Sequence, residues 1–273
     1  MKRTTIKELE EISKKIRCGI LETMEIGEKS HLGGSMSSAD LVTALYFYKM
    51  NHNPKNPDAP ERDRFIFSKG HSVLTQYAAL AECGYFPKSI LKTTKTLGSI
   101  LQGHPETRTP GIEANTGSLG QGLSIGLGMA IGAKLDHRNY KVYVILGDGE
   151  LAEGQIWEAA TAASFYKLDN LIAIVDYNKL QAVGFLKKRY DLGDIRGKFA
   201  IFGWKTFEIN GHDMQEILQA LDSVDEVKGV PSVIIAHTTK GKGVSFAENN
   251  PAFHNAPLTK EQIERAKADI CNS

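Results

Sequence analysis

The stretch Gly147–Gln181, GDGELAEGQIWEAATAASFYKLDNLIAIVDYNKLQ, decides the fold. An apolar, β-rich run from Val142 to Leu146 leads into it, a second run from Leu171 to Val175 lies near its end, and a helix-length segment separates the two. This is a strand, helix, strand unit, the crossover that joins parallel strands. Gly147 and Gly149 flank Asp148 at the carboxyl end of the first strand, and Asn178 follows the second. A carboxylate and an amide oxygen therefore converge on one edge of a parallel sheet, where open α/β sheets take their ligands. An oxygen-only pair suits a hard cation, Mg²⁺ or Ca²⁺, that completes its shell with water, a main-chain carbonyl and ligand phosphates. Taken alone, the same residues also fit a Gly-Asp-Gly turn followed by an Asn-capped loop, so the flanking sequence has to decide.

Upstream, Ile6, Leu9, Ile12, Ile16 and Ile20 recur at helical spacing up to a stop near Gly27. EKSHLGGSMSSAD then reads as a Gly- and Ser-rich turn, with Ser37 or Ser38 capping a helix seated by Leu41, Leu45, Tyr46 and Tyr48. After a polar, Pro-containing loop, Arg64 to Phe67 is a short buried strand running into SKGHS, and an Ala-rich helix from about Val73 ends at Gly84. NTGSLGQG, Asn115 to Gly122, opens a helix that also carries Gly126, Gly128 and Gly132. Each glycine weakens a helix by up to about 1 kcal/mol relative to Ala, so close approach of a neighbouring helix or ligand is expected there. Downstream, Trp204 to Ile209 and Ser232 to His237 read as strands around an Asp213-capped helix, and Thr259 with Gln262 forms a capping box for a last helix. Strands alternating with helices predict a parallel, doubly wound α/β sheet with helices on both faces, in one domain covering residues 1–273.

Composition narrows the function. Lys plus Arg is 33 and Asp plus Glu 32, a net charge of +1 that offers no general attraction to nucleic acid or anionic membrane. The charged N-terminus lacks the apolar core of a signal peptide, no apolar run is long enough to span a membrane, and a cytoplasmic location is expected. Cys18, Cys83 and Cys271 are scattered without metal-ligand spacing, which fits a reducing compartment.

Four of the eight histidines occupy turns rich in Gly, Ser or Pro: His31 in KSHLGGS, His71 in SKGHS, His104 in QGHPET and His254 in AFHNAPL. Imidazoles exchange protons near neutrality, so several around one site suit chemistry on hydroxyl and carbonyl groups. His52, His137 and His212 read as surface or turn residues.

GDG followed one crossover later by Asn resembles the thiamine diphosphate signature, and the four histidine turns, NTGSLGQG and GDG occur in the order found in transketolases, from about Glu22 to Leu258. The resemblance implies the thiamine diphosphate-binding fold of the family's diphosphate-binding (PP) domain. It also implies a metal held by Asp148, Asn178 and the Leu180 carbonyl. By the same resemblance His31, His71, His104 and His254 surround the reactive end of the cofactor and the first carbons of the donor sugar, with His31, His104 and His254 as the catalytic candidates. His71, Gly117, Leu119, Gly147, Asp148, Gly149, Asn178, Lys240 and His254 are implied as cofactor-binding. Glu153, grouped with that set, resembles the carboxylate that meets its symmetry mate across the family's dimer interface. Two departures stand out: Lys29 and Ser30 precede His31 where many relatives carry Ser-Gly, and His237 stands where some have Lys.

Family transketolases are more than twice this length, and this chain resembles only their first domain. The pyrimidine-binding domain, whose glutamate activates the cofactor, has no counterpart here. The resemblance therefore implies one subunit of a split transketolase that transfers a two-carbon ketol unit between ketose and aldose phosphates. Its site would be completed by a C-terminal transketolase subunit, expected as two copies of each chain. Alternatives are half of a deoxyxylulose phosphate synthase-like enzyme, a ketol transferase for an unusual sugar, or a non-catalytic cofactor-binding subunit. A dinucleotide-binding module is disfavoured, because Gly147, Gly149 and Gly154 lack the required spacing and Asp148 would set a negative charge beside a pyrophosphate.

Overall fold

The computed structural model describes residues 4–271. Its strands in chain order are β1 (Arg64–Phe67), β2 (Val142–Gly147), β3 (Leu171–Tyr177), the hairpin strands β4 (Leu180–Gln181) and β5 (Gly184–Phe185), β6 (Lys205–Asn210) and β7 (Ser232–His237). Five of them form a parallel sheet in the order β1-β2-β3-β7-β6, and β4 and β5 pair separately, followed by the single turn of α7 (Leu186–Arg189). β2 and β3 are apolar along almost their whole length because both faces of the sheet are covered. Phe65, Phe67, Tyr143, Ile145, Ile172, Ile174 and Ile234 alternate into one core. There they meet α1 (Ile6–Glu22), α3 (Ala39–Ala44), α4 (Leu74–Cys83), α9 (Met214–Ser223) and α10 (Lys260–Cys271). Ile66, Val142, Val144, Leu146, Ala173, Val175 and Val233 point to the opposite core, against α5 (Gln121–Leu135), α6 (Gly154–Phe165) and α8 (Ile195–Ile201). The expected α/β sheet with helices on both faces is what forms. Among the described residues no helix is long and apolar enough to cross a membrane.

Register brings the carboxyl ends of the strands level. Gly147 pairs with Asp176, Tyr177 with His237, and Asn210 with His237. Asp148, Asn178 and Thr238 consequently leave the sheet along one edge.

The expected turn EKSHLGGSMSSAD is largely helical: α2 (Leu32–Ser37) leads directly into α3, which ends in a wider π-helical turn at Leu45–Lys49. Neither serine caps. Ser37 Oγ donates to Asp176 Oδ2 at 2.6 Å, and Ser38 Oγ donates back to Gly34 O at 2.9 Å. Glycine content argued for a turn, but tertiary packing wins, because a Cβ on Gly33 would meet Lys240 Cγ at 2.8 Å and one on Gly34 would strike Ser72 Oγ. The α5 glycines divide. A Cβ on Gly122 would strike Ser68 and one on Gly126 Val144 Cγ2 at 2.7 Å, whereas Gly128 and Gly132 have nothing within 4 Å. The Asp213 cap and the Thr259–Gln262 capping box both form.

A polar knot ties α1 to α3. The Arg17 guanidinium donates to Asp40 at 2.9 and 2.7 Å, and Ser13 Oγ and His212 Nδ1 reach the same carboxylate at 2.5 and 2.7 Å. Burial pushes the Asp40 pKa up, but the Arg17 charge and the hydrogen bonds outweigh it and hold the carboxyl well below its usual range. Arg17→Met should therefore lower the unfolding free energy by roughly 3–5 kcal/mol, the usual cost of stranding one member of a buried pair, as read by chemical denaturation near neutral pH. A depressed carboxyl stabilises fully above its unfolded pKa and loses that contribution as pH falls through the folded value. The stability gap between the native chain and Asp40→Asn should accordingly narrow as pH drops below about 4.

Candidate functional site

β2 ends by delivering Asp148 into a short helical turn, Gly149–Ala152. The carboxylate is 4% exposed, accepts from its neighbour Gly149 N at 2.7 Å, and accepts on Oδ2 from Lys179 N at 2.5 Å. Lys179 adopts a left-handed φ of 65°, which turns the chain so that Asn178 and Leu180 face the same space. Burial and the neighbouring Asp176 charge push the Asp148 pKa up to about 6. The two carboxylates on this edge thus differ in kind. Asp176 is fully buried but saturated: Lys69 Nζ, Ser37 Oγ, Thr238 Oγ1 and Asn178 Nδ2 all donate to it. Burial alone would raise its pKa, and the Lys69 charge with these hydrogen bonds lowers it. Asp148 has amide donors but, among the described residues, no ion-pair partner.

Glu150, also buried, joins three segments by accepting from Ser68 Oγ, from Gly120 N at 2.9 Å and from Gly147 N at 3.0 Å. It anchors the loop that brings Gly117 and Leu119 to the opposite wall. Gly117 is needed there for space, since a Cβ would come within 2.7 Å of His104 Cδ2.

The turn histidines meet above this floor. The ring centroids of His31 and His71 are 4.9 Å apart, those of His31 and His254 5.3 Å, and those of His71 and His254 5.7 Å. Lys240 Nζ stands between walls, 2.6 Å from Leu180 O and 2.8 Å from His254 Nδ1. Burial, then nearby positive charge, pushes the imidazoles down, to about 4 for His31 and about 3 for His254, and lowers His71 and His104 as well. Burial likewise takes Lys240 down to about 8.

The result is an open pocket of about 510 Å³ whose walls include His31, His71, His104, His254, Gly117 and Leu119. Gly147, Asp148, Gly149, Asn178, Leu180 and Lys240 line it as well. Glu153 does not. It is exposed, with its Cβ against the Cα side of Gly120. Sequence reasoning missed Lys69, Glu150, Gln181, Ala182 and Val183, which also line the pocket, and Asp176 beneath it. A lysine inside SKGHS and an acid at the end of an apolar strand were the available signals. Two of the histidines expected at the surface or in turns are half-buried by specific contacts. His52 is bracketed by Tyr46 O and Tyr85 Oη, and His212 binds the buried Asp40. His137 is exposed, and His237 pairs with Glu208 outside the pocket.

These residues fit a divalent cation and a diphosphate. Asp148, the Asn178 amide oxygen and the Leu180 carbonyl are hard oxygen donors on one rim, and the buried Asp148 is hydrogen-bonded by amides with the Lys240 charge nearby. Among the described residues no three His, Cys, Asp or Glu side chains gather to hold a metal, so an ion here depends on the amide, the carbonyl and ligand oxygens. Lys240 and the glycine-flanked turn supply the complementary surface for an anion.

Residues 9–271 match the family described as transketolase, thiamine diphosphate binding domain. The chain is 43% identical over 265 residues to one of the named subunits of apulose-4-phosphate transketolase from Phocaeicola vulgatus, covering 97% of this chain and 94% of the relative. It is 45% identical over 249 residues to the 6-deoxy-6-sulfo-D-fructose transketolase subunit SqwG of a Clostridium species, covering 90% of each. The structure superposes on transketolase from Campylobacter jejuni with a TM-score of 0.92 at 34% identity, covering 98% of this chain and 43% of that one. For transketolase from Leishmania mexicana the TM-score is 0.91 at 33% identity, with 96% and 41% covered. The chain thus spans less than half the length of these solved transketolases.

Partial burial beside Lys69, Lys95 and Lys240 should keep His31, His71 and His254 uncharged at mildly acidic pH. Imidazole NMR titration of the chain should show no protonation of these three between about pH 5.5 and 8, in contrast to a free histidine near 6.5. Titration of any of them inside that window would contradict the described packing.

Proposed function

The chain belongs to the transketolase family through its thiamine diphosphate binding domain, and we propose that it is the diphosphate- and metal-binding subunit of a split transketolase. What supports the reading is coverage. The chain matches nearly all of two relatives that are themselves named as transketolase subunits, yet only 43% of the Campylobacter enzyme. When bound, thiamine diphosphate supplies the electron sink needed to cleave and form the bond next to a ketose carbonyl.

This chain's residues do the rest of the work on its side of the site. Asp148, Asn178 and the Leu180 carbonyl hold Mg²⁺ or Ca²⁺. Lys240 and His71 face the anionic tail, and Gly117, Leu119, Gly147 and Gly149 bound the cofactor. His31 and His254, half-buried, and His104, more open to solvent, accept and return the protons of sugar hydroxyl groups in their uncharged form. Glu153, outside the pocket, is the residue that in this reading meets its symmetry mate between copies of the chain. The C-terminal transketolase subunit provides the pyrimidine-binding half and most of the grip on the sugar's anionic end, in an assembly of two copies of each chain in the cytoplasm.

A second reading concerns the sugar. The two relatives are named for apulose 4-phosphate and 6-deoxy-6-sulfo-D-fructose. A ketose other than those of the pentose phosphate pathway, with a phosphate or sulfonate end, is accordingly favoured as donor.

The chain alone should show negligible ketol transfer, and addition of the partner should restore it; robust turnover without a partner would end the split-site reading. Asp148→Ala should abolish Mg²⁺-dependent thiamine diphosphate binding in calorimetry, and an unchanged affinity would remove the metal assignment. In the assembled enzyme, His104→Ala or His254→Ala should slow turnover by roughly 10²- to 10⁴-fold if these residues handle protons.

A further inference from the structure

The loop after β7 carries Lys240 into the pocket, while its outer side is gripped by groups that the pocket does not contain. Thr239 N donates to His212 Nε2 at 2.8 Å, and His212 Nδ1 lies 2.7 Å from Asp40 Oδ2. A main-chain amide can only donate, so Nε2 is the acceptor and the ring proton resides on Nδ1, donated to Asp40. Arg17 completes the grip: its Nη atoms hold Asp40, and its Nε donates to Lys242 O at 3.3 Å. The loop is thereby held at residues 239 and 242, on both sides of Lys240, and Gly241 N adds a third hold on Gly33 O at 2.9 Å.

Between these holds the Lys240 stem has one course. It runs over Gly33, where any Cβ would crowd it at 2.8 Å, and ends against Leu180 O and His254 Nδ1. Asp40, Arg17 and Lys240 are 8%, 7% and 3% exposed, and His212 and Thr239, which link them, are half-buried. Polar contacts partly withdrawn from water are worth more than fully solvated ones, and losing one partner leaves the other stranded.

We propose that His212, backed by Asp40 and Arg17, is a positioning residue for Lys240, fixing through the Thr239 amide the point at which the loop turns its ammonium group into the pocket. The part Lys240 plays toward the cofactor rests on the function proposed above; its placement by His212 does not.

Three variants test this. His212→Ala removes both bonds, His212→Gln keeps an N–H for Asp40 and a carbonyl oxygen for the Thr239 amide, and Lys240→Met removes the positioned group. In the full chain alone, acylation of Lys240 by an amine-reactive ester, mapped by mass spectrometry, should quicken about 10-fold in His212→Ala and stay within about 2-fold in His212→Gln, since local opening sets such rates. In the enzyme assembled with its partner, His212→Ala should raise the KM for thiamine diphosphate about 10-fold, leave kcat at saturating cofactor within about 2-fold, and add nothing in a Lys240→Met background. Unchanged labelling in His212→Ala, equal damage in His212→Gln, or additive losses with Lys240→Met would overturn the proposal. Labelling that changes as expected in a chain that never binds the cofactor would sink the functional reading and leave the positioning role standing. Should His212→Ala fail to fold, His212→Asn, too short to reach both partners, replaces it with the same expected rise.

Discussion

Lys69 and Asp176 meet at the carboxyl edge of the sheet, 2% and 0% exposed, and the arrangement of that edge depends on their pairing. Withdrawing two charges from water costs several kcal/mol for each ion, and mutual attraction offsets this only when the remaining lone pairs and protons are also satisfied. Here they are. Lys69 donates a second bond to Gly34 O at 2.7 Å, and Asp176 collects hydroxyls from Ser37 and Thr238 and the Asn178 amide. One ion pair therefore pulls together α2, the end of β1, the end of β3 and the start of the loop after β7. It also accounts for the helix at Leu32–Ser37 in a glycine-rich stretch, because the glycines bring the helix backbone close enough to serve Lys69.

The same edge shows how position separates two aspartates of identical chemistry. Asp176 is spent on holding the scaffold, its charge matched by Lys69. Asp148, one strand away, is also buried but, among the described residues, is hydrogen-bonded by amides and has no ion-pair partner, with the Lys240 charge acting on it from further off. The difference lies in which elements cross above each residue, and neither residue alone carries it.

This is also the limit of what the sequence made legible. The β2, α6, β3 unit could be read because continuous apolar runs bracketing a helix-length segment report burial on both faces of a parallel sheet. The four turn histidines and Asn178 could be read because each follows or precedes an element end. Lys69 with Asp176, 107 residues apart, could not, since nothing local to either foretells a partner that only the strand order supplies. His212 looked like a turn residue, and it is one, but its ring points inward to a carboxylate on α3. The EKSHLGGSMSS segment misled for the opposite reason: its local signals were sound and packing overrode them.

Two lysine stems, Lys240 and Lys69, end on α2 or cross it, over Gly33 and beside Gly34. A free lysine samples many rotamers, and immobilising one forfeits about 1.5–2 kcal/mol of conformational entropy. In this chain that disorder is surrendered as the protein folds, when the stems are laid across the glycines and their ammonium groups fixed on carbonyl and carboxylate oxygens. An anion entering the pocket meets cationic groups already confined, and its affinity need not absorb the loss of their freedom.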